Sequence, residues 1–202
     1  VSDNQAPFEI IAYPFNVYLA PLATPFPDIS DAESAFDPLW FLLGTSGNKN
    51  YDEDGIQVTH EQTIEEFRPV GLTAARKAFR TEESLVVAFN IVDVSAAMYA
   101  KVLNDATVTD TAAGAGVGGN LNFELLQGLA VRHYAMVMRG DWSAEGDGFN
   151  TQWDIAKCYQ SAEPEPAYKK GEPAMLACEF RVLWDEGTGT FGRFRSQDAA
   201  AS

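Results

Sequence analysis

The segment 84–92 (SLVVAFNIV) alternates so that Leu85, Val87, Phe89 and Ile91 share one face, which is the period of a half-buried β-strand. Similar signals recur along the chain. Residues 8–20 mix aromatic and β-branched side chains, with Pro14 pointing to an edge strand or a bulge. Residues 39–44 (LWFLLG) predict a short, fully buried strand stopped by glycine. Residues 56–64 alternate weakly. In 129–139, Leu129, Val131, Ala135 and Val137 alternate with Arg132, Tyr134, Met136 and Met138. Segments 150–159 and 175–184 complete the strand set, and turn residues separate these runs at short intervals. That spacing predicts a mainly β protein, a sandwich or barrel-like fold, and argues against a βαβ design.

One helix interrupts the pattern. Asp93 or Ser95 is placed to cap it, Val94, Met98 and Val102 form one apolar stripe over about 94–104, and Asn104 is a stop. A helix of this size plugs one open end of a sandwich. Three segments read as loops or arms: 44–55, the Gly-rich 107–120, and a flexible tail over 187–202.

Charge narrows the function. With 14 Lys+Arg against 29 Asp+Glu the net charge is -15, the wrong sign for gripping nucleic acid. No uncharged apolar run reaches the ~20 residues of a membrane span. The first five residues lack the plan of a signal peptide, so a soluble protein made in the cytoplasm is expected. Cys158 and Cys178 are too few for a disulfide framework and are expected as small buried hydrophobes.

Candidate chemical motifs fail on context. Residues 114–119 spell G-x-G-x-x-G, but neither a feeding strand nor a receiving helix flanks them. His60 and His133 are too far apart in sequence to begin a zinc site. Asp52, Glu53, Asp54 and Gly55 open like a calcium loop, yet its twelfth position is Thr63 where glutamate is needed. The acid pairs Glu65-Glu66 and Glu82-Glu83 sit among polar neighbours, where nothing holds a carboxyl ready for general acid work. No enzyme, cofactor or metal is expected.

The layout of charge is uneven. Residues 1–67 hold twelve acids and one lysine, a net of -11, whereas 68–81 hold Arg68, Arg76, Lys77 and Arg80 without an acid, a net of +4. Two readings follow: a hairpin whose arms pair across, or a basic strip of one copy meeting an acidic strip of the next. A contact of the second kind is heterologous and builds rings or open stacks.

The order of Leu39-Trp40-Phe41-Leu42-Leu43-Gly44, Glu53-Asp54-Gly55-Ile56, Arg68-Pro69-Val70-Gly71, Ala78-Phe79-Arg80-Thr81-Glu82-Glu83 and Ile91-Val92-Asp93-Val94 resembles the major tail tube proteins of long-tailed, siphovirus-like bacteriophages. The resemblance spans about residues 39–104, with looser similarity near 8–21. It implies one tail tube domain over 1–202, with an N-terminal arm (1–7), a long inter-ring loop (about 44–80) and the C-terminal tail. It further implies stacked hexameric rings around an acidic lumen through which DNA passes without specific binding. Expected partners are further copies of the chain and other tail proteins (tape measure, terminator, distal tail). The expected location is the virion, after assembly in the bacterial cytoplasm. On this reading Tyr51, Asp52, Glu53, Asp54, Arg68, Arg76, Lys77 and Arg80 form the contacts between rings. Alternative readings are a tail terminator or contractile-type inner tube protein, or a ligand-binding β-sandwich in which Trp142, Phe149 and Trp153 near Asp141 and Asp147 make a sugar platform.

Overall fold

The computed structural model describes residues 15–45 and 49–198. Its main sheet is antiparallel, in the order β2 (Phe41–Leu42), β1 (Asn16–Ala20), β7 (Tyr134–Ser143), β8 (Gly146–Gln160), β9 (Leu176–Val182), β4 (Lys77–Ile91) and β3 (Gln57–Phe67). The last strand, β10 (Arg193–Ser196), pairs with the first half of β8, while β9 takes the end of β8 on that same edge. A second, two-stranded sheet joins β5 (Thr109–Thr111) to β6 (Asn120–Asn122). The protein is mainly β with one helix, α1 (Ala96–Val102), and its sandwich-like core agrees with the fold class expected from the sequence.

The sheet curls around one apolar core. Leu85, Val87, Phe89 and Ile91 of β4 are all buried there, as their alternation predicts, together with Val17, Leu19, Met136, Met138, Ile155 and Phe180. Phe89 stacks on Phe180 at 6.0 Å between ring centres and meets the Tyr51 ring edge-on at 5.3 Å. Helix α1 closes one end with Met98, Ala100 and Val102 inward. The Ser95 hydroxyl caps it by accepting from the Met98 N–H at 3.3 Å, and Asn104 ends it in the left-handed region at φ 60°. Cys158 and Cys178 are buried as expected, and burial pushes both thiols well above their ordinary pKa.

Strand β7 buries both faces, which single-period alternation does not foretell. Tyr134, Met136 and Met138 enter the main core, whereas Ala135 and Val137 meet Tyr18, Ala20 and Trp40 in a second cluster. That outer cluster is roofed by the connection after β1, through Phe26 and Phe36. Trp40 anchors it, its indole N–H donating to the Pro25 carbonyl at 3.1 Å.

Several expectations change. In the 39–44 run Phe41 and Leu42 form a half-buried edge on β1 and buried Leu43 adds an N–H bond to Val17 O at 2.9 Å, while Trp40 turns to the second cluster and Leu39 to solvent. Its glycine stop does hold: Gly44 sits at φ 115°, and a Cβ there would fall 2.2 Å from the Asn50 side chain. The strand expected over 129–139 starts at Tyr134. Residues 127–132 are claimed instead by Asn104, whose amide donates to the Gln127 and Ala130 carbonyls and accepts from the Arg132 N–H at 2.7 Å. The Gly-rich loop is the β5–β6 hairpin, and the tail expected over 187–202 contributes β10. The proposed N-terminal arm lies outside the described residues.

Tyr51 draws the two ends of the sheet together. Around it the backbone pairs antiparallel with the end of β4, with Asp52 N–H donating to Asn90 O at 3.2 Å and Val92 N–H to Asn50 O at 2.9 Å. Its hydroxyl accepts from Val17 N–H at 2.9 Å and donates to Leu43 O at 3.0 Å. Tyr51→Phe leaves both groups without that partner and should lower stability by about 1–3 kcal/mol, read as a shift of the urea midpoint at unchanged m-value. Desolvation also holds the Tyr18, Tyr51 and Tyr134 hydroxyls above their ordinary pKa. A raised folded pKa makes their contribution complete below pH ~10 and lost as pH rises further. Tyrosinate absorbance should therefore appear in two stages, these three groups ionising only as the fold is lost.

Candidate functional site

Strands β3 and β4 outrun the core. Inside the body β4 is buried, but from Lys77 to Glu83 it is exposed, as is nearly all of β3. What the sequence predicts as a long loop over about 44–80 is therefore mostly a hydrogen-bonded ribbon, registered from Gln57 opposite Ala88 to Phe67 opposite Lys77, with a bulge at Thr63/Ile64. At about 3.3 Å per residue, the stretch of β4 from Asn90 to Lys77 spans about 40 Å.

The eight expected contact residues divide along this length. Arg68, Arg76 and Lys77 stand at the tip and Arg80 on the stem, all exposed. Arg68 pairs with Glu66, while Arg80 reaches Gln62 at 3.0 Å and Glu83 at 3.5 Å. Acid and base do not pair across the arms: both ion pairs join residues close in sequence. Arg76 and Lys77 have no carboxylate partner among the described residues. Asp52, Glu53 and Asp54 form a turn at the opposite end, closed by Gly55 N–H to Asp52 O at 3.1 Å. One Asp52 oxygen accepts from the Asn90 amide at 2.6 Å, and the other is buried without a partner. Asp52 and Asp54 line a groove with Glu179. Half-buried Tyr51 packs against the core, and its hydroxyl is spent on Val17 and Leu43.

The tip is also apolar. Phe67, Val70, Leu72 and Phe79 are exposed there. Phe67 and Phe79 are diagonal neighbours on one face, because Glu65 opposes Phe79 and Phe67 opposes Lys77.

Pattern reading missed a buried polar ladder on the outer face of β7, β8 and β10. Arg139, only 1% exposed, donates from Nε to Gln152 Oε1 at 2.7 Å and reaches the carbonyls of Asp28 and Asp31. Gln152 donates onward to Asp154 at 2.6 Å and to Pro27 O at 3.2 Å. Asp154, 2% exposed, takes Arg193 at 2.8 Å and Arg195 at 2.8 Å. The residues come from three strands in register and bond to one another and to the 27–31 backbone. The ladder therefore holds the 27–31 backbone over the sheet and β10 along β8. The Arg139 guanidinium, desolvated by burial, has its pKa lowered from the ordinary value. Its one sequence trace is polar residues at even spacing in β8 (Gln152, Asp154), answered by Arg193 and Arg195 in β10.

A cleft of about 490 Å³ opens beside the ladder, where the ribbon leaves the body. His60, Leu85, Trp153, Ile155, Phe191 and Phe194 line it, with Trp153 and Phe194 at 4.8 Å. Trp153 thus faces this cleft, while Trp142 stands opposite Asp147 at the far end of the β7–β8 hairpin. Among the described residues no three His, Cys, Asp or Glu side chains are grouped as a metal would require.

Asp154→Ala should cost about 3 kcal/mol, since it strands buried donors of Gln152 and Arg195. Faster amide exchange in β10 than in β4 would mark the loss as local to the ladder. No family model and no curated protein matches the chain.

Proposed function

We propose that this chain is a structural subunit of a phage tail tube, stacking as hexameric rings around an acidic lumen through which DNA passes, and that it is not an enzyme. The observation that carries the reading is the ribbon. It holds two unpartnered cations, Arg76 and Lys77, at one end of the molecule and an acidic turn, Asp52 to Asp54, about 40 Å away at the other. Surfaces complementary to each other, but placed at opposite ends of one chain, make a head-to-tail contact that repeats without limit along an axis.

Two further features support it. The exposed tip residues Phe67, Val70, Leu72 and Phe79 are apolar surface that an isolated monomer has no use for. The net charge of -15 suits a channel that lets phosphate slide past without holding it.

Negative-stain microscopy across a concentration series tests the reading: sixfold rings or hollow tubes are expected, and a monomer at every concentration would overturn it. Arg76→Glu with Lys77→Glu should abolish stacking at physiological salt. Adding Glu53→Lys and Asp54→Lys should restore it, because both partners of the contact are then reversed. Exposed pairs are weak singly, so wild-type stacking should also loosen as salt rises. Tubes unaffected by the double reversal would remove the ribbon from the contact.

A further inference from the structure

Strand β8 gives the body two distinguishable ends. Its first half, at Trp153 and Ile155, borders the aromatic cleft, and β4 runs past that cleft into the ribbon. Its last residue, Gln160, lines a small hollow with Val102, Gln127 and Val131. Ala162 belongs both to that hollow and to the acidic groove of Asp52 and Asp54, so both lie at the second end. Trp153 and Gln160 are about 23 Å apart along the strand.

At this second end three leucines face solvent. Leu125, Leu126 and Leu129 are 72%, 80% and 107% exposed. Their presentation is held on both sides. Before them the Phe123 ring meets Tyr99 of α1 edge-on at 5.6 Å, and the Asn104 amide grips the Gln127 carbonyl between them and the Ala130 carbonyl after them. Between Glu124 and Arg132 the chain carries no charge. A structured knob of this kind has met the ordering cost of binding in advance, and only apolar surface remains to be covered.

We infer that the Leu125–Leu129 knob of one copy seats in the Trp153–Phe194 cleft of the next copy. This deepens the proposed tail tube function and rests on it. The occupant is a second copy because knob and cleft sit at opposite ends of the body, in the same sense as the acidic turn and the cationic ribbon. Leu85, Trp153, Ile155, Phe191 and Phe194 give the cleft an apolar and aromatic floor, and its two charged groups are matched within the chain, Arg193 by Asp154 and Glu83 by Arg80, so it suits an uncharged aliphatic segment. The ribbon tip supplies charge matching, and the knob supplies apolar burial at the ribbon's base.

The test uses full-length chains carrying either Leu126→Cys or Ser84→Cys, mixed and oxidised; both native cysteines are buried. A disulfide between one copy of each variant is expected. Its absence at concentrations where the protein self-associates, or dominance of Leu126→Cys pairing with itself, would overturn the inference. Leu125→Asp with Leu129→Asp should leave the melting temperature unchanged, both side chains being exposed, and weaken self-association ten- to a hundredfold. Tubes that form normally from this variant would remove the knob while leaving the tail tube function standing. The mixed disulfide without any tube would keep the contact and reject that function.

Discussion

The Tyr51 hydroxyl is the point at which an open antiparallel sheet becomes a closed body. By serving Val17 and Leu43 at one end of the sheet while its own backbone pairs with β4 at the other, it fixes how far the sheet curls. The curl sets the width of the core, and the core has room for the inner face of β4 only from Leu85 to Ile91. Beyond Leu85, among the described residues, no opposing layer covers the strand. The strand nevertheless continues, because β3 satisfies its hydrogen bonds through to Lys77. The ribbon is thus the part of a hairpin that the closed body cannot cover.

The same closure explains why β7 needs a second apolar layer. It lies in the middle of the curled sheet with α1 and the main core on its inner face, and its outer residues Ala135 and Val137 are as apolar as its inner ones. The connection after β1 covers them. That connection has little regular structure of its own, only one short 3-10 turn at Glu33–Ala35, so its carbonyls need donors. Arg139, Gln152, Asn150 and Arg195 provide them from the sheet. An arginine fork suits this role since it bridges two carbonyls at once. The Phe36 ring, 4.5 Å from its guanidinium carbon, covers its face.

Much of this was legible in the residues. The even spacing of Leu85, Val87, Phe89 and Ile91 identifies a face of the core, and the Ser95 cap with the Met98–Val102 stripe identifies the helix, because both signals are local. Where single-sequence reading went astray, a distant side chain had overridden local pattern. Leu129 and Val131 alternate like a strand, but Asn104, more than twenty residues earlier, takes the backbone groups a ladder would need. Residues 193–196 look like part of a loose tail until Asp154 is placed opposite Arg193. At the candidate site, charge segregation is visible in sequence, whereas the division into a tip and a base about 40 Å apart depends on the β3–β4 register. The knob and its cleft depend on long-range packing and leave no local trace.

The outer edge of β3 limits what the ribbon can bind. An exposed edge of eleven residues invites any strand to pair with it. Here it carries Glu61, Glu65 and Glu66, and the bulge at Thr63/Ile64 interrupts its register. Both features oppose indiscriminate strand addition: the acids repel a second acidic chain, and the bulge breaks a continuous ladder. What stays adhesive is the tip, with two unmatched cations beside exposed Phe67 and Phe79. Since the chain carries a net charge of -15 that residues 68–81 locally reverse, a second copy approaching at random meets repulsion from the stem acids and electrostatic attraction at the tip. The charge layout thereby favours one orientation of approach over the others.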